Sequence, residues 1–300
     1  MVSWLLAAAM AAQVETGDIG LFHRERAAAA TVEELRSRYF AKASPGWKRY
    51  LAGAGDPAIF TQSYRLYPKF FATSEPGCRR GAEAKPEIER ALEAFRELYP
   101  HPGVPVTIGV GSVSGAGRGE RDGVYLAAEF FSKGPGLDDS ELAPWQRAFL
   151  APPEGIAAAA VHEMVHVYQA RTTDSTLLVA CLREGAADFV AELITGRHTN
   201  PALVEWASPR KAALFQEFAR RAHGSYHTGW IYDAGENSGR PANVGYWIGY
   251  EIAKDFHARA AAKRTAIADI VEMRDPRALV AASSYRWLVI PPAAKKRRRR

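Results

Sequence analysis

Residues 161–166 read V-H-E-M-V-H and lie inside a run, residues 156–171, whose apolar side chains have helical spacing. A helix turns once in 3.6 residues, so side chains four positions apart lie on the same face. His162 and His166 can therefore direct two imidazoles at one ion. Glu163 is rotated by about 100° from His162 and lies beside such an ion. The pattern is typical of a zinc site in which a carboxylate acts on a water molecule.

A second helix is predicted over residues 176–195, and its middle reads L-R-E-G-A-A-D-F. Asp174 or Ser175 is the predicted N-cap, and Gly196 is the predicted terminator. The glycine after Glu184 weakens a helix by about 1 kcal/mol relative to alanine. Such a residue suits a position where a second backbone approaches closely.

A catalytic zinc takes three protein ligands and leaves one position for water. The chain between His166 and Glu184 is long enough for the second helix to return antiparallel to the first, so Glu184 is the expected third ligand. Asp188 lies four residues further on the same face and is expected to accept the free N–H of a ligand histidine. The reverse assignment, with Asp188 as the ligand and Glu184 as its support, stays open at this level.

This ligand set predicts hydrolysis of a peptide bond by a zinc-activated water. Glu163 is the general base and passes the proton to the leaving amine. The oxyanion that forms needs a second donor besides the metal. Tyr246 is the first candidate, and both Tyr246 and Arg240 lie beside glycine-rich turns near a predicted helix start. The other candidates are His227, Tyr232, Arg240 and Tyr250, and each of these five side chains has packing in the core or on the surface as its alternative role.

The remaining sequence is mainly helical in pattern. Helices are predicted within residues 18–50 and at 87–99, 144–150, 205–223, 244–263, 265–273 and 276–282. An aromatic cluster from Ile59 to Phe71 is predicted to be core. The fold class is therefore α+β and mostly helical, with a small sheet.

Two strands are predicted at residues 104–113 and 123–131, as a hairpin or as neighbours. The glycine-rich stretch 114–119 between them is predicted to be a flexible loop, and it lacks the G-K-[ST] of a phosphate-binding loop. Residues 106–110 could form an edge strand that pairs with an extended peptide. An ordinary buried strand fits the same residues.

Several stretches resemble a known family. H-E-M-V-H followed by E-G-A-A-D is similar to the gluzincin arrangement, with a glutamate ligand and an aspartate four residues on. More narrowly, V-T-I-G-V-G-S-V-S-G-A-G, L-R-E-G-A-A-D-F-V-A-E-L-I-T-G and R-P-A-N-V-G-Y-W-I-G-Y resemble an uncharacterised bacterial family of predicted zinc-dependent proteases, related to gliding-motility lipoproteins and their peptidase-like relatives. The similar stretches span roughly residues 14–285. The resemblance implies a zincin fold and no particular substrate, and this chain lacks the N-terminal cysteine of the lipoproteins.

The domain organisation follows from these patterns. Residues 13–290 are predicted to form one zincin-like domain. Its parts are a helical region at about 13–100, strands at about 104–131, zinc-site helices at about 154–196 and C-terminal helices at about 205–285. Residues 1–12 resemble a short secretory signal, with small residues in A-x-A spacing, although they lack a basic start.

The formal net charge of +6 comes entirely from the six basic residues at the end of the chain, so the body is neutral. We predict that 291–300 is a disordered basic tail, with at most weak association with the cell envelope, and that the protein does not bind nucleic acid. No run is long and apolar enough for a transmembrane helix. Cys78 and Cys181 could form one disulfide in an oxidising compartment or remain two free thiols, and Cys181 is expected to be a small buried side chain.

Two functions of different classes fit the sequence. The first is a peptidase with one zinc ion that acts on a peptide or protein, in the periplasm or outside the cell if the signal is genuine and otherwise in the cytoplasm. The second is a peptidase-like protein of the cell envelope that binds a partner without cleaving it.

Overall fold

The structure is a computed structural model that describes residues 13–53, 57–232 and 239–289. The predicted signal at 1–12 and the predicted tail at 291–300 lie outside the described residues. The content is 64% helix and 6% strand, which confirms an α+β, mostly helical fold. No helix in the described ranges is long and apolar enough to cross a membrane.

The strands are β1 (Val14–Glu15), β2 (Val106–Gly109), β3 (Gly117–Glu120) and β4 (Gly123–Ala127). The first helices are α1 (Gly17–Ala28), α2 (Val32–Lys42), α3 (Pro45–Gly53), α4 (Pro57–Leu66), α5 (Pro68–Thr73), α6 (Glu75–Glu83), α7 (Lys85–Leu98) and α8 (Pro144–Phe149). The later helices are α9 (Ile156–Tyr168), α10 (Leu177–Thr195), α11 (Pro201–Ala207), α12 (Lys211–Ala219), α13 (Val244–Arg259), α14 (Lys263–Glu272) and α15 (Pro276–Ala281).

The four strands form one sheet in the order β1-β2-β4-β3. β2 is parallel to β1 and to β4, with Val106 opposite Val124. β3 is antiparallel to β4 and forms the edge of the sheet beyond it. β2 and β4 are buried along their whole length, as expected for strands covered on both faces.

Two predictions about this region are wrong. β2 lies between two strands, so residues 106–110 are not an edge strand, and the alternative of an ordinary buried strand is confirmed. The stretch predicted to be a loop contains β3, because pairing with β4 overrides the low strand propensity of its glycines. The hairpin therefore joins β3 to β4, and the two predicted strands are parallel neighbours.

Several helix boundaries also differ from the predictions. The predicted helix 205–223 is divided between α11 and α12 by a 3-10 turn that contains Pro209, whose missing N–H cannot continue a helix. α10 begins one residue after Thr176, and Asp174 accepts the N–H of Thr176 at 3.0 Å. Gly196 ends α10 with a φ of 70°, as predicted.

The described residues group into two compact units. The first holds the described residues as far as Tyr168 together with Val190–Asn200. In its core, the Phe22 ring packs edge to face against the Tyr39 and Phe60 rings, at centroid distances of 5.3 and 6.2 Å. The aromatic cluster predicted to be core is confirmed for Phe70 and Phe71, which are fully buried, whereas Ile59 and Leu66 of the same stretch are exposed.

The second unit holds Gln169–Phe189 and the described residues from Pro201 onward. Here α10 and α13 cross with their backbones in contact. A Cβ atom on Gly249 would lie 1.9 Å from the Cys181 carbonyl oxygen, and one on Gly185 would lie 2.0 Å from the Tyr250 nitrogen. The close approach predicted at Gly185 is thus confirmed, and any larger residue at either glycine would separate the helices.

Both cysteines are free and buried. Burial raises the pKa of the Cys181 thiol well above its ordinary value. The thiol acts as a small apolar side chain in this packing, as predicted, and a Cβ on Gly245 would lie 2.4 Å from its Sγ.

Candidate metal centre

The two histidines of α9 face one point. The Nε2 atoms of His162 and His166 lie 3.0 Å apart, and the two rings are nearly perpendicular, at 82°. His162 is 9% exposed and His166 is half-buried. The helical spacing of the two residues produces this convergence, as the sequence predicts.

One group of three side chains among the described residues could hold a metal ion. It consists of His162, His166 and Glu184, and the ligand atoms of all three lie within 4.8 Å of one another. Asp188 is not a member of this group. The structure therefore supports the assignment of Glu184, rather than Asp188, as the third candidate ligand.

The donor set fits zinc. Two imidazole nitrogens and a carboxylate oxygen are typical ligands of a catalytic zinc, at about 2.0–2.2 Å from the ion. Tetrahedral ligands at that distance lie about 3.3 Å from one another. The 3.0 Å between the two Nε2 atoms is close to this separation. Three protein donors leave one position of a tetrahedral ion for water or substrate.

Glu163 is covered on one side by the edge strand of the sheet. A Cβ on Gly117 of β3 would lie 2.7 Å from the Glu163 Oε1 atom, and one on Gly119 would lie 2.1 Å from the Glu163 carbonyl oxygen. The two glycines lie two residues apart, so both face α9. β3 can reach the helix this closely only because these positions lack side chains.

Two tyrosine hydroxyls reach the candidate ligand Glu184. The Tyr232 hydroxyl donates to Glu184 Oε1 at 2.8 Å. The Tyr246 phenol, in the first turn of α13, also hydrogen-bonds to Glu184. Burial raises the pKa of Tyr246 well above its ordinary value, and the negative charge of Glu184 raises it further. Tyr246 therefore remains a protonated hydrogen-bond donor at neutral pH.

The other sequence-predicted donors have other partners. His227 Nε2 lies 3.0 Å from the carbonyl oxygen of Ser175. Arg240 pairs with Glu217 at 2.8 Å, and its guanidinium lies 4.1 Å from the centre of the Trp230 ring. A role for His227 or Arg240 as an oxyanion donor stays a prediction.

Tyr250 and Asp188 are both buried. Tyr250 is 2% exposed, and its hydroxyl accepts a hydrogen bond from Lys254 at 2.8 Å. Asp188 is 1% exposed and lies one turn beyond Glu184 on α10. Its hydrogen bond to a ligand histidine stays a prediction.

The contact of Gly117 and Gly119 with α9 is not among the features predicted from the sequence. A signal was available, because Gly115, Gly117 and Gly119 alternate with other residues. Glycine at every second position indicates a strand with one bare face, which another backbone can approach. The same glycines instead led to the prediction of a flexible loop.

Comparisons of the chain with family models, with curated proteins and with solved structures find no match.

Proposed function

We propose that this protein is a zinc-dependent peptidase with a gluzincin-like zincin fold, which binds one zinc ion through His162, His166 and Glu184. The observation that carries the proposal is the convergence of these three ligand atoms, two from α9 and one from α10. Glu163 follows the first of the two histidines on α9. A bound zinc ion supplies a Lewis acid that polarises the peptide carbonyl and lowers the pKa of water.

Glu163 takes a proton from the attacking water and delivers it to the leaving nitrogen. It follows the first candidate ligand on α9, so its carboxylate would lie beside an ion held by His162 and His166. The short distance from β3 to Glu163 limits the space that the side chain can occupy. Restricted rotation of this kind favours a general base that is already in position.

Tyr246 is proposed as the donor that stabilises the oxyanion. Its hydroxyl hydrogen-bonds to Glu184, and its single O–H would turn from Glu184 to the oxyanion of a substrate held at the same site. Tyr232 makes the same contact but is 64% exposed, whereas Tyr246 is half-buried in the first turn of a helix. A preorganised donor stabilises developing charge better than a mobile one, which favours Tyr246.

β3 is the surface proposed to hold an extended peptide. It is the edge strand of the sheet, is half-buried along its length and packs against α9. An edge strand offers main-chain donors and acceptors to a peptide that adds to the sheet. The peptide-binding role that the sequence suggested for residues 106–110 is thus reassigned to Gly117–Glu120.

The deciding experiment measures zinc content and cleavage of an unfolded protein by the wild type and by Glu163→Gln. We expect about one zinc per chain in both, and a loss of activity of about 10²–10⁴-fold in the variant, the usual contribution of a general base. Glu154→Gln is the matched control, because Glu154 is an exposed carboxylate just before α9. A pure protein that holds no zinc and cleaves nothing would support the non-cleaving envelope protein instead.

A further inference from the structure

A cavity of about 440 Å³ lies on the first unit, away from the elements of the proposed catalytic site. It is formed by α1, α4 and α6. Its polar lining residues are His23, Arg24, Arg26, Tyr64, Glu75 and Arg79.

The charge of this cavity is positive. Glu75 pairs with Arg79 at 2.7 Å and lies 3.9 Å from Arg26. Arg26 also donates to the Tyr64 hydroxyl at 2.9 Å. Arg24 forms no ion pair with any residue in the described ranges. The cavity is thus lined by one carboxylate and three guanidinium groups, which leaves a surplus of two positive charges when His23 is neutral.

His23 is the second observation that indicates a ligand. Its side chain is 1% exposed, and neither of its ring nitrogens has a hydrogen-bond partner within the described part of the chain. Its Nδ1 atom lies 3.5 Å from the Glu75 carboxylate without forming a hydrogen bond. A buried polar group without a partner costs about 1–3 kcal/mol, so such groups in native proteins usually have a partner that is a ligand or a water molecule.

Burial lowers the pKa of His23 to about 4. The positive charges of Arg79 and Arg26 lower this pKa further, whereas the negative charge of Glu75 raises it. The imidazole is therefore neutral at pH 7 and offers one N–H donor and one acceptor. A neutral N–H beside several guanidinium groups is a suitable donor for an oxyanion.

We propose that this cavity binds a phosphate group, with Arg24 and Arg79 as its charged donors and His23 as its buried neutral donor. The guanidinium group has a planar fork of donors that matches phosphate oxygens. Two surplus positive charges match a phosphate dianion better than a carboxylate. The volume also leaves room for a small organic group attached to the phosphate.

The test is calorimetric titration of the full-length protein with inorganic phosphate and with glycerol phosphate, at constant ionic strength. Arg24→Gln should weaken binding about tenfold, the effect of one lost charge-assisted hydrogen bond. Glu75→Gln should strengthen it, since the variant removes the one negative charge in the cavity. The matched control is Arg65→Gln, because Arg65 is an exposed arginine on α4 that pairs with Glu33 outside the cavity.

A second readout is the imidazole signal of His23 in NMR spectra, assigned with His23→Gln. Bound phosphate should raise the pKa of His23, because the anion stabilises the imidazolium. Tighter binding of glycerol phosphate would identify a phosphate monoester as the ligand, and equal binding would identify the free anion. The proposal is overturned if neither compound binds, or if Arg24→Gln binds phosphate as well as Arg65→Gln does.

Discussion

Glu129 is a carboxyl group with no exposed surface in the first unit. It accepts the N–H of Gly111 at 2.9 Å and the N–H of Val113 at 3.1 Å, and so holds the turn that follows β2. Burial raises its pKa to about 7, even though both hydrogen bonds lower it. The folded protein therefore binds a proton here at pH values where the unfolded chain has already lost it.

This shift predicts a pH dependence of stability. Because the folded pKa is raised, the contribution of Glu129 is fully present below about pH 4.5 and is lost as the pH rises to about 7. At 1.36 kcal/mol per pH unit, the free energy of unfolding should fall by up to about 3 kcal/mol across this window. Urea denaturation of the wild type and of Glu129→Gln at a series of pH values measures the effect.

The quantity to follow with pH is the difference in the free energy of unfolding between the wild type and Glu129→Gln. Burial lowers the pKa of His23 and of His101 to about 4, so both change stability in the opposite direction over an overlapping window. Their effects are common to the wild type and the variant and cancel in the difference. A difference that does not vary between pH 4.5 and 7 would contradict the assignment to Glu129.

Tyr246 leads to a second prediction at the level of a single residue. If its hydroxyl stabilises the oxyanion, Tyr246→Phe should lower kcat by about 10²–10³-fold and leave KM and zinc content nearly unchanged. Tyr232→Phe should have a smaller effect, because Tyr232 is largely exposed. Tyr226→Phe is the control, since Tyr226 is exposed and packs under Arg221. A larger loss of kcat in Tyr232→Phe than in Tyr246→Phe would exchange the two roles.

At the level of elements, the contact between β3 and α9 decides how Glu163 is placed. A methyl group on Gly119 would meet the backbone of α9, so the strand would have to move away. A methyl group on Gly117 would instead meet the Glu163 side chain, with Oε1 at 2.7 Å and Cγ at 2.9 Å, and the Cδ2 atom of Leu126 at 2.9 Å. Side-chain ends can move more easily than a backbone.

Gly117→Ala should therefore displace the carboxylate of Glu163 with a modest effect on stability. We expect a loss of peptidase activity of at least about tenfold, with zinc content unchanged, because small displacements of a catalytic group are costly. Gly115→Ala is the matched control, since a Cβ there would have no neighbour within 4 Å. Full activity in Gly117→Ala would show that β3 does not position the base.

At the level of the whole molecule, a metal held by residues from two helices couples binding to folding. A ligand that binds only the folded state stabilises it by about 2.7 kcal/mol at a concentration one hundred times its Kd. For a protein of this size that corresponds to a rise in Tm of several degrees. Removal of the metal with a chelator should therefore lower Tm, and added zinc should restore it.

His162→Ala should abolish the rise in Tm that added zinc causes, even if the substitution also changes the Tm of the metal-free protein. His223→Ala is the control, because His223 is half-buried and lies outside the candidate metal group. A shift of equal size in both variants would mean that zinc acts elsewhere on the protein.

The sequence determined the local features of the candidate site. The spacing of His162 and His166 places both imidazoles on one helical face, and Gly185 required a close neighbour for α10. These features follow from helical geometry, which depends only on residues a few positions apart. For the same reason the order of most helices and the mostly helical fold class could be predicted.

Only the tertiary structure decided the strand order and the surroundings of the candidate ligands. It placed β3 at the edge of the sheet against Glu163, excluded β2 from that position and brought the hydroxyls of Tyr232 and Tyr246 to Glu184. These contacts join residues far apart in the chain, and hydrophobic periodicity carries no information about which distant residues meet. Gly117 and Gly119 are the clearest example of what the sequence could not predict. The lack of a side chain fits either a flexible loop or a close packing contact, and only the presence of α9 next to these residues decides between the two.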